Sequence, residues 1–245
     1  MMNVKNAVIT GGSGGLGKGC IANLKNNGWR TISVDIKPSG SCNPEERPDL
    51  EIIADVSDSG AVQNAFDSIM EYCVAPDALI CLAGIVLDAP VFGIARGGIH
   101  TYPEQSWRKT MDVNLTGTFL CAREFVDRLV RKRHHGVVVT CSSPAANGAP
   151  GQSAYAASKA GVEAFTVSLA RETAPFGIRV CGFRPALTLT PMAEQYPRHI
   201  IDSLASKSLI KRFARPEEIG EAIHFLLGNE LASGRIFEFD GGLII

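Results

Sequence analysis

Tyr155 and Lys159 stand at i and i+4, so a helix places them one turn apart on one face. A free tyrosine ionises near pH ~10 and is a poor base at neutral pH. An ammonium beside it favours the phenolate, which makes the pair a tuned proton donor and acceptor. Upstream, Ser142 closes the apolar run Val137-Val138-Val139-Thr140-Cys141, a pattern expected of a buried strand. Pro150 and Gly151 then return the chain to the helix of Tyr155. Ser142 is thereby expected in the same site, donating a hydrogen bond to a substrate oxygen. A tyrosine and a lysine at this spacing also occur on plain helix surfaces, and the pair alone leaves that role open.

Elements that position such a site are legible elsewhere in the chain. Val4 to Thr10 is a short apolar run followed by Gly11-Gly12-Ser13-Gly14-Gly15-Leu16-Gly17 and then by helical spacing of Leu16, Cys20, Ile21 and Leu24. A strand, a glycine turn and a helix in this order let backbone N–H groups approach a pyrophosphate at a helix N-terminus. A glycine run by itself is a weak signal, equally compatible with a flexible loop. The next strand, Thr31 to Asp35, strengthens it. Asp35 lies close to the offset of about 20 residues at which an acid meets the adenosine ribose hydroxyls. A carboxylate there repels a 2′-phosphate, so NAD is expected over NADP.

Further strands are expected at Leu50–Ala54, Asp77–Ala83, Ile178–Phe183 and Arg235–Phe239, alternating with helices. Alternation of this kind implies a parallel sheet covered on both faces. The expected fold is α/β, a Rossmann-type doubly wound sheet of seven parallel strands in one domain spanning residues 1–245. Gly11–Gly17, Asp35, Asp55, Gly84, Ser142 and Pro185 each follow a strand, which puts them on one sheet edge, where ligands bind in such folds. Lys37 to Asp49 reads as a loop, and Ile85 to Pro103 as a long segment without periodicity. One long helix is expected over Glu104–His134, another from Ser153 to about Ala174, and one beginning at Pro216.

Composition narrows the classes of function. The 245 residues carry a net charge of −1, which gives no general attraction to nucleic acid or to an anionic membrane. No apolar run approaches the roughly 20 residues of a membrane span, and the start lacks the pattern of a signal peptide. The seven cysteines form no CxxC pair, so reduced thiols, no metal site and a cytoplasmic location are expected.

With these residues placed, the chain resembles the short-chain dehydrogenase/reductase family over essentially its whole length. The resemblance rests on Thr10–Gly17, Asp55-Val56, Ala83-Gly84, Asn114, Ser142, Tyr155-Ala156-Ala157-Ser158-Lys159, Pro185-Ala186, Thr190-Pro191-Met192 and Asp240-Gly241-Gly242. It implies an oxidoreductase that uses a nicotinamide cofactor, commonly a homotetramer or homodimer. By that resemblance Tyr155 is the acid/base, and Lys159 supports it and binds the nicotinamide ribose. Ser142 polarises the carbonyl, and Asn114 holds a water that relays protons. Gly11, Ser13, Gly14, Gly15, Leu16 and Gly17 hold the cofactor phosphates, with Asp35, Asp55, Val56, Ala83, Gly84, Pro185, Thr188 and Thr190 around the rest. Gln152, Leu187 and Met192 are expected at the substrate, beneath a covering segment of about residues 186–215.

Two departures from the family pattern stand out: Cys81-Leu82 where two asparagines are usual, and Ala186 where glycine usually follows the proline. The expected reaction moves a hydride between a secondary alcohol and NAD, with a 3-hydroxyacyl-CoA thioester as substrate. Alternatives are 3-oxoacyl-thioester reduction, oxidation of a hydroxysteroid or other secondary alcohol, and a catalytically idle nucleotide sensor or scaffold subunit. Arg96, Arg198, His199, Lys207, Lys211, Arg212 and Arg215 are expected either to grip CoA phosphates or to form a solvated basic face.

Overall fold

The computed structural model describes residues 4–41, 43–95, 98–190, 193 and 197–243. Pro191, Met192 and Arg96 lie outside the described residues, as does the side chain of Arg198. The chain opens with β1 Asn6–Thr10, α1 Gly15–Asn26 and β2 Arg30–Asp35. Next come β3 Leu50–Ile53, α2 Ser59–Tyr72, β4 Ala78–Cys81, β5 Phe92–Ala95 and β6 Gly98–Thr101. Helices α3 Glu104–Met111 and α4 Gly117–Lys132 lead to β7 Gly136–Cys141 and α5 Ser153–Thr173. The last elements are β8 Ile178–Pro185, α6 Arg198–Ser206, α7 Pro216–Gly228 and β9 Ile236–Phe239.

Seven strands form one parallel sheet in the order β3-β2-β1-β4-β7-β8-β9. The order reverses between β1 and β4, which creates the crevice where doubly wound sheets bind ligands. Alternate side chains feed two cores, as the two-residue strand period requires. Val8, Ile32, Leu79, Val138 and Val180 pack with Phe66, Phe125 and Leu169 on the face of α2, α4 and α5. Ala7, Ile9, Ile80, Val139 and Cys181 pack with Ile21, Leu24 and Ile223 on the face of α1 and α7. Asp58 caps α2, its Oδ1 accepting from the N–H groups of Gly60 and Ala61 at 2.8 and 2.9 Å.

Two segments differ from the sequence expectation. Residues 85–103 hold an antiparallel hairpin, β5 with β6. Its Phe92, Ile94 and Ile99 are exposed, so no buried-face alternation marked it as strand. The expected helix Glu104–His134 runs through a π-turn at Asp112–Thr116. Such turns cluster at functional sites, and this one carries Asn114.

Candidate active site

The glycine turn fits a dinucleotide. Gly11 has φ +72°, and a Cβ there would lie 2.7 Å from the backbone N of Ala83. Only glycine serves at this turn. The Ala83 N–H donates to Thr10 Oγ1 at 3.2 Å, and the Gly14 N–H donates to Gly11 O at 3.1 Å. A Cβ on Gly17 would lie 2.3 Å from Gly11 O, so the turn folds tightly onto the start of α1. That start has Gly14 at its cap with no side-chain hydrogen bond, leaving backbone amides and the helix dipole to meet an anion. Leu16 packs beneath, against the α1/α7 core.

Asp35 ends β2 beside this turn. Its Oδ2 accepts from the Ser13 N–H at 3.0 Å, and Ser13 Oγ donates to Lys37 O at 2.7 Å. Asp55 Oδ1 accepts from the N–H and Oγ of Ser57 at 2.9 and 2.7 Å. Val56 is buried against Gly117, where a Cβ would lie 2.7 Å from Val56 Cγ2. From the other side, a Cβ on Gly15 would lie 2.7 Å from Thr190 Cγ2. The chain after β8 therefore passes over the start of α1. Pro185 ends β8, and Thr188 is buried there, bridging to Ala214.

Lys159 is 5% exposed, donates from Nζ to Cys141 O at 2.8 Å, and holds Nζ 5.6 Å from the Tyr155 ring centroid. The helix thus places the two side chains together, as their spacing implies. Asn114 is fully buried. Its Oδ1 accepts from the Ile85 N–H at 2.8 Å, and its Nδ2 donates to Ile85 O and Ser158 Oγ at 3.0 and 3.1 Å. It braces the turn after β4 against α5. A Cβ on Gly84 would lie 3.3 Å from Asn114 Oδ1 and 3.7 Å from Lys159 Nζ, so the missing side chain leaves a polar space between them.

Ser142 follows the last rung of β7 and faces α5. Its side chain is 1% exposed, and its hydroxyl donates to Glu163 Oε1 at 2.5 Å. A hydroxyl has one proton, and a carboxylate holds this one. Burial pushes the Glu163 carboxyl up, but hydrogen bonds from Arg184 and Ser142 and the Arg184 charge hold it below the usual carboxylate value. Glu163 is therefore ionised at neutral pH and accepts the Ser142 hydroxyl proton in this arrangement. Ser143 is the next residue, half-buried, just past the last rung of β7. Its Oγ accepts from the Ala145 N–H at 3.2 Å and so caps the turn Pro144–Asn147. Consecutive strand-end residues point to opposite faces, and of the two serines Ser142 is the one that contacts α5, the helix of Tyr155.

On the substrate side, Gln152 donates from Nε2 to Asp88 Oδ2 at 2.6 Å. This bond ties the start of α5 to the segment after β4. Leu187 is half-buried, and its O accepts from the Ala214 N–H at 2.7 Å. Part of the basic cluster is structural. Arg212 forms a forked pair with Glu218 at 2.7 and 2.8 Å, and Arg215 lies 3.4 Å from the same carboxylate. The Arg212 side chain, then the Arg215 backbone N–H, pull the Glu218 carboxyl down to about 2. These two arginines anchor the start of α7, which weighs against their gripping phosphate. Burial pushes the thiols of Cys20 and Cys121 up to about 12, so they pack as apolar groups. Among the described residues no cluster of His, Cys, Asp and Glu has the arrangement of a metal site. None of their helices is long and apolar enough to cross a membrane.

Comparison with known proteins agrees with this geometry. Residues 11–244 match a family model described as enoyl-(acyl carrier protein) reductase. The chain is 30% identical to 3-oxoacyl-[acyl-carrier-protein] reductase FabG of Thermotoga maritima, over 98% of each chain. It is also 30% identical to 3-hydroxyacyl-CoA dehydrogenase type-2 of Homo sapiens, covering 97% of this chain and 94% of that one. Identity to 2-dehydro-3-deoxy-L-rhamnonate dehydrogenase (NAD(+)) of a Sphingomonas species is 31%, covering 96% and 94%. The solved structure of gox2181 superposes with a TM-score of 0.87 at 27% identity, covering 98% and 96%. The chain belongs to the short-chain dehydrogenase/reductase family of oxidoreductases.

Proposed function

We propose that this chain is an NAD-dependent dehydrogenase of secondary alcohols, acting on 3-hydroxyacyl-CoA thioesters. One observation carries the reaction type: the buried ammonium of Lys159 lies 5.6 Å from the Tyr155 ring centroid and beside Gly84, which follows the Ala83 that packs on Gly11 of the glycine turn. Tyr155 takes the proton of the substrate hydroxyl, and Ser142, which faces the same helix, donates a hydrogen bond to the same oxygen. Lys159 compensates the charge on the tyrosine oxygen and holds the nicotinamide ribose. When bound, the nicotinamide accepts the hydride. Protons leave along Asn114 and Lys159, which flank Gly84, through a water that Asn114 holds. The full-length similarity to the human 3-hydroxyacyl-CoA dehydrogenase supports the substrate. Similarity of the same extent to a 3-oxoacyl-thioester reductase keeps the reverse direction as a second reading. Turnover with NAD on a panel of 3-hydroxyacyl-CoA esters, simple secondary alcohols and hydroxysteroids tests the assignment. A preference for any alcohol over the CoA esters would replace the substrate.

Asp35 supports NAD over NADP, because its carboxylate stands at the end of β2 on the Ser13 amide. The expected preference is at least about tenfold in kcat/KM, or about 1.4 kcal/mol. Asp35→Ala should narrow it, and equal kcat/KM for the two cofactors in the wild type would end the argument. Gly84→Ala should lower kcat about tenfold, with KM for NAD within about threefold, since the methyl fills the space beside Asn114 and Lys159 without touching the glycine turn. Steady-state rates on both proteins check this.

Assembly and compartment belong to the same reading. Phe119 on α4 is 42% exposed and meets Phe165 on α5 edge-to-face at 6.0 Å. Ala160 and Ala164 are exposed along the same helix, while Gly161 is covered by Leu115 of its own chain. We infer that α4 and α5 pair across a two-fold axis in a homodimer or homotetramer. Sedimentation at micromolar concentration should show the oligomer; a monomer would refute it. The cysteines among the described residues are free thiols, which supports a reducing compartment, the cytoplasm.

A further inference from the structure

We propose that Glu163 is a specificity-determining residue that acts through Ser142: by holding the Ser142 proton it makes the site prefer the alcohol to the ketone. The inference rests on the roles proposed above for Tyr155 and Ser142. Tyr155, Lys159 and Glu163 stand at i, i+4 and i+8 on α5, so they form one stripe along that helix. Glu163 Oε1 accepts from Ser142 Oγ at 2.5 Å, while Lys159 O lies farther off, at 3.4 Å. A serine hydroxyl has one proton and two lone pairs. With the proton on Glu163, the oxygen offers lone pairs only. A substrate alcohol has a proton to donate to that oxygen before Tyr155 claims it. A substrate ketone has none. To receive a hydrogen bond from Ser142 it must displace a charge-assisted bond, roughly twice as strong as one to a neutral acceptor.

Arg184 keeps Glu163 in place. Its Nε and Nη2 form a fork on Glu163 at 2.7 and 2.9 Å. Nη2 also donates to Asn147 Oδ1 at 3.1 Å, and Nη1 to Glu238 Oε1 at 2.9 Å. The side chains of Arg184 and Glu163 are 14% and 19% exposed, an environment in which a forked pair holds its geometry more firmly than a surface pair. Glu163 is thus a fixed acceptor that does not swing aside for a ketone. During turnover only the Ser142 proton turns. As Tyr155 removes the substrate proton, the substrate oxygen becomes more basic than a carboxylate, and the Ser142 proton turns to it. Once the hydride has left, that oxygen is a neutral carbonyl and the proton returns to Glu163. The substrate proton is then on Tyr155 and the hydride on the nicotinamide, so Ser142 and Glu163 end as they began. The solution equilibrium between alcohol and ketone is untouched. What shifts is which of the two the site holds more tightly, a difference of affinities.

The test is calorimetric titration of two complexes that cannot react: 3-oxobutyryl-CoA on the protein with NAD, and 3-hydroxybutyryl-CoA on the protein with NADH. The readout is the ratio of the ketone Kd to the alcohol Kd, in wild type, Glu163→Gln, Ser142→Ala and the double variant. In Glu163→Gln the one amide oxygen serves Arg184 and the NH₂ group donates to Ser142 Oγ, which frees the Ser142 proton for a ketone. The ratio should therefore fall about fivefold or more from wild type to Glu163→Gln. Between Ser142→Ala and the double variant it should change by less than about twofold, because Glu163 acts through Ser142. A ratio in Glu163→Gln within about twofold of wild type overturns the proposal. So does a fall of the same size in the Ser142→Ala background, which marks Glu163 as structural. If Glu163→Gln does not fold, Glu163→Asp decides: it keeps a carboxylate for the Arg184 fork but withdraws it from Ser142, and an unchanged ratio there overturns the proposal too. A wild type that oxidises no alcohol on the panel, or a Tyr155→Phe variant that remains active, refutes the proposed function itself, and this inference falls with it.

Discussion

Replacing Tyr155 by phenylalanine is expected to reduce turnover by at least about a thousandfold while NADH affinity stays within about threefold of wild type. The magnitude follows from the role: a positioned proton-transfer group is worth roughly 10²–10⁴ in rate. The substitution removes one oxygen and little volume. It also leaves Lys159 where it is, because that residue is held by Cys141 O at 2.8 Å and not by the phenol. Single-turnover rates with NAD, alongside a fluorescence titration with NADH, separate chemistry from binding. Substantial residual turnover would put the proton transfer on another residue. Loss of NADH binding would mean that Tyr155 holds the cofactor rather than the proton.

The second large effect concerns the adjacent serines. Ser142→Ala should lower kcat about a hundredfold or more, the scale set by loss of one hydrogen-bond donor to a reacting oxygen. Ser143→Ala should cost only a few fold, because its Oγ caps the turn Pro144–Asn147 through the Ala145 N–H at 3.2 Å and its loss acts through loop geometry. The ranking of the two variants in kcat is the readout. If Ser143→Ala proves the more damaging, the assignment passes from Ser142 to Ser143.

That pair shows where sequence reading stopped. The strand run ending at Cys141 and the Tyr155/Lys159 spacing are local patterns, and both kept their meaning in three dimensions. The glycine turn and Asp35 likewise follow from chain order, since a doubly wound sheet sends every strand end to one edge. The side chain of Ser142 depends instead on Glu163 and Arg184, which lie 21 residues apart in sequence and meet only when α5 packs on β7 and β8. No periodicity marks such a pair. The hairpin β5–β6 was missed for a different reason: its apolar residues face outward, so the burial pattern that signals a strand is absent. Asn114 was placed in a helix correctly, but a π-turn adds one residue to a single turn, below what a 3.6-residue pattern can register. The basic cluster near Pro216 left two readings open in the sequence, a phosphate grip or a solvated basic face, and Arg212 and Arg215 converge on Glu218.

The central claim is that Tyr155 moves a proton while a hydride passes directly from the substrate carbon to the bound cofactor. Turnover of 3-hydroxybutyryl-CoA deuterated at the carbinol carbon, with NAD and wild-type protein, tests it most directly. The account predicts that the deuterium appears in the reduced nicotinamide and that the 3-oxoacyl ester accumulates in equal amount, both vanishing with Tyr155→Phe. Deuterium released to water during turnover, or label transfer that persists undiminished in Tyr155→Phe, would contradict it.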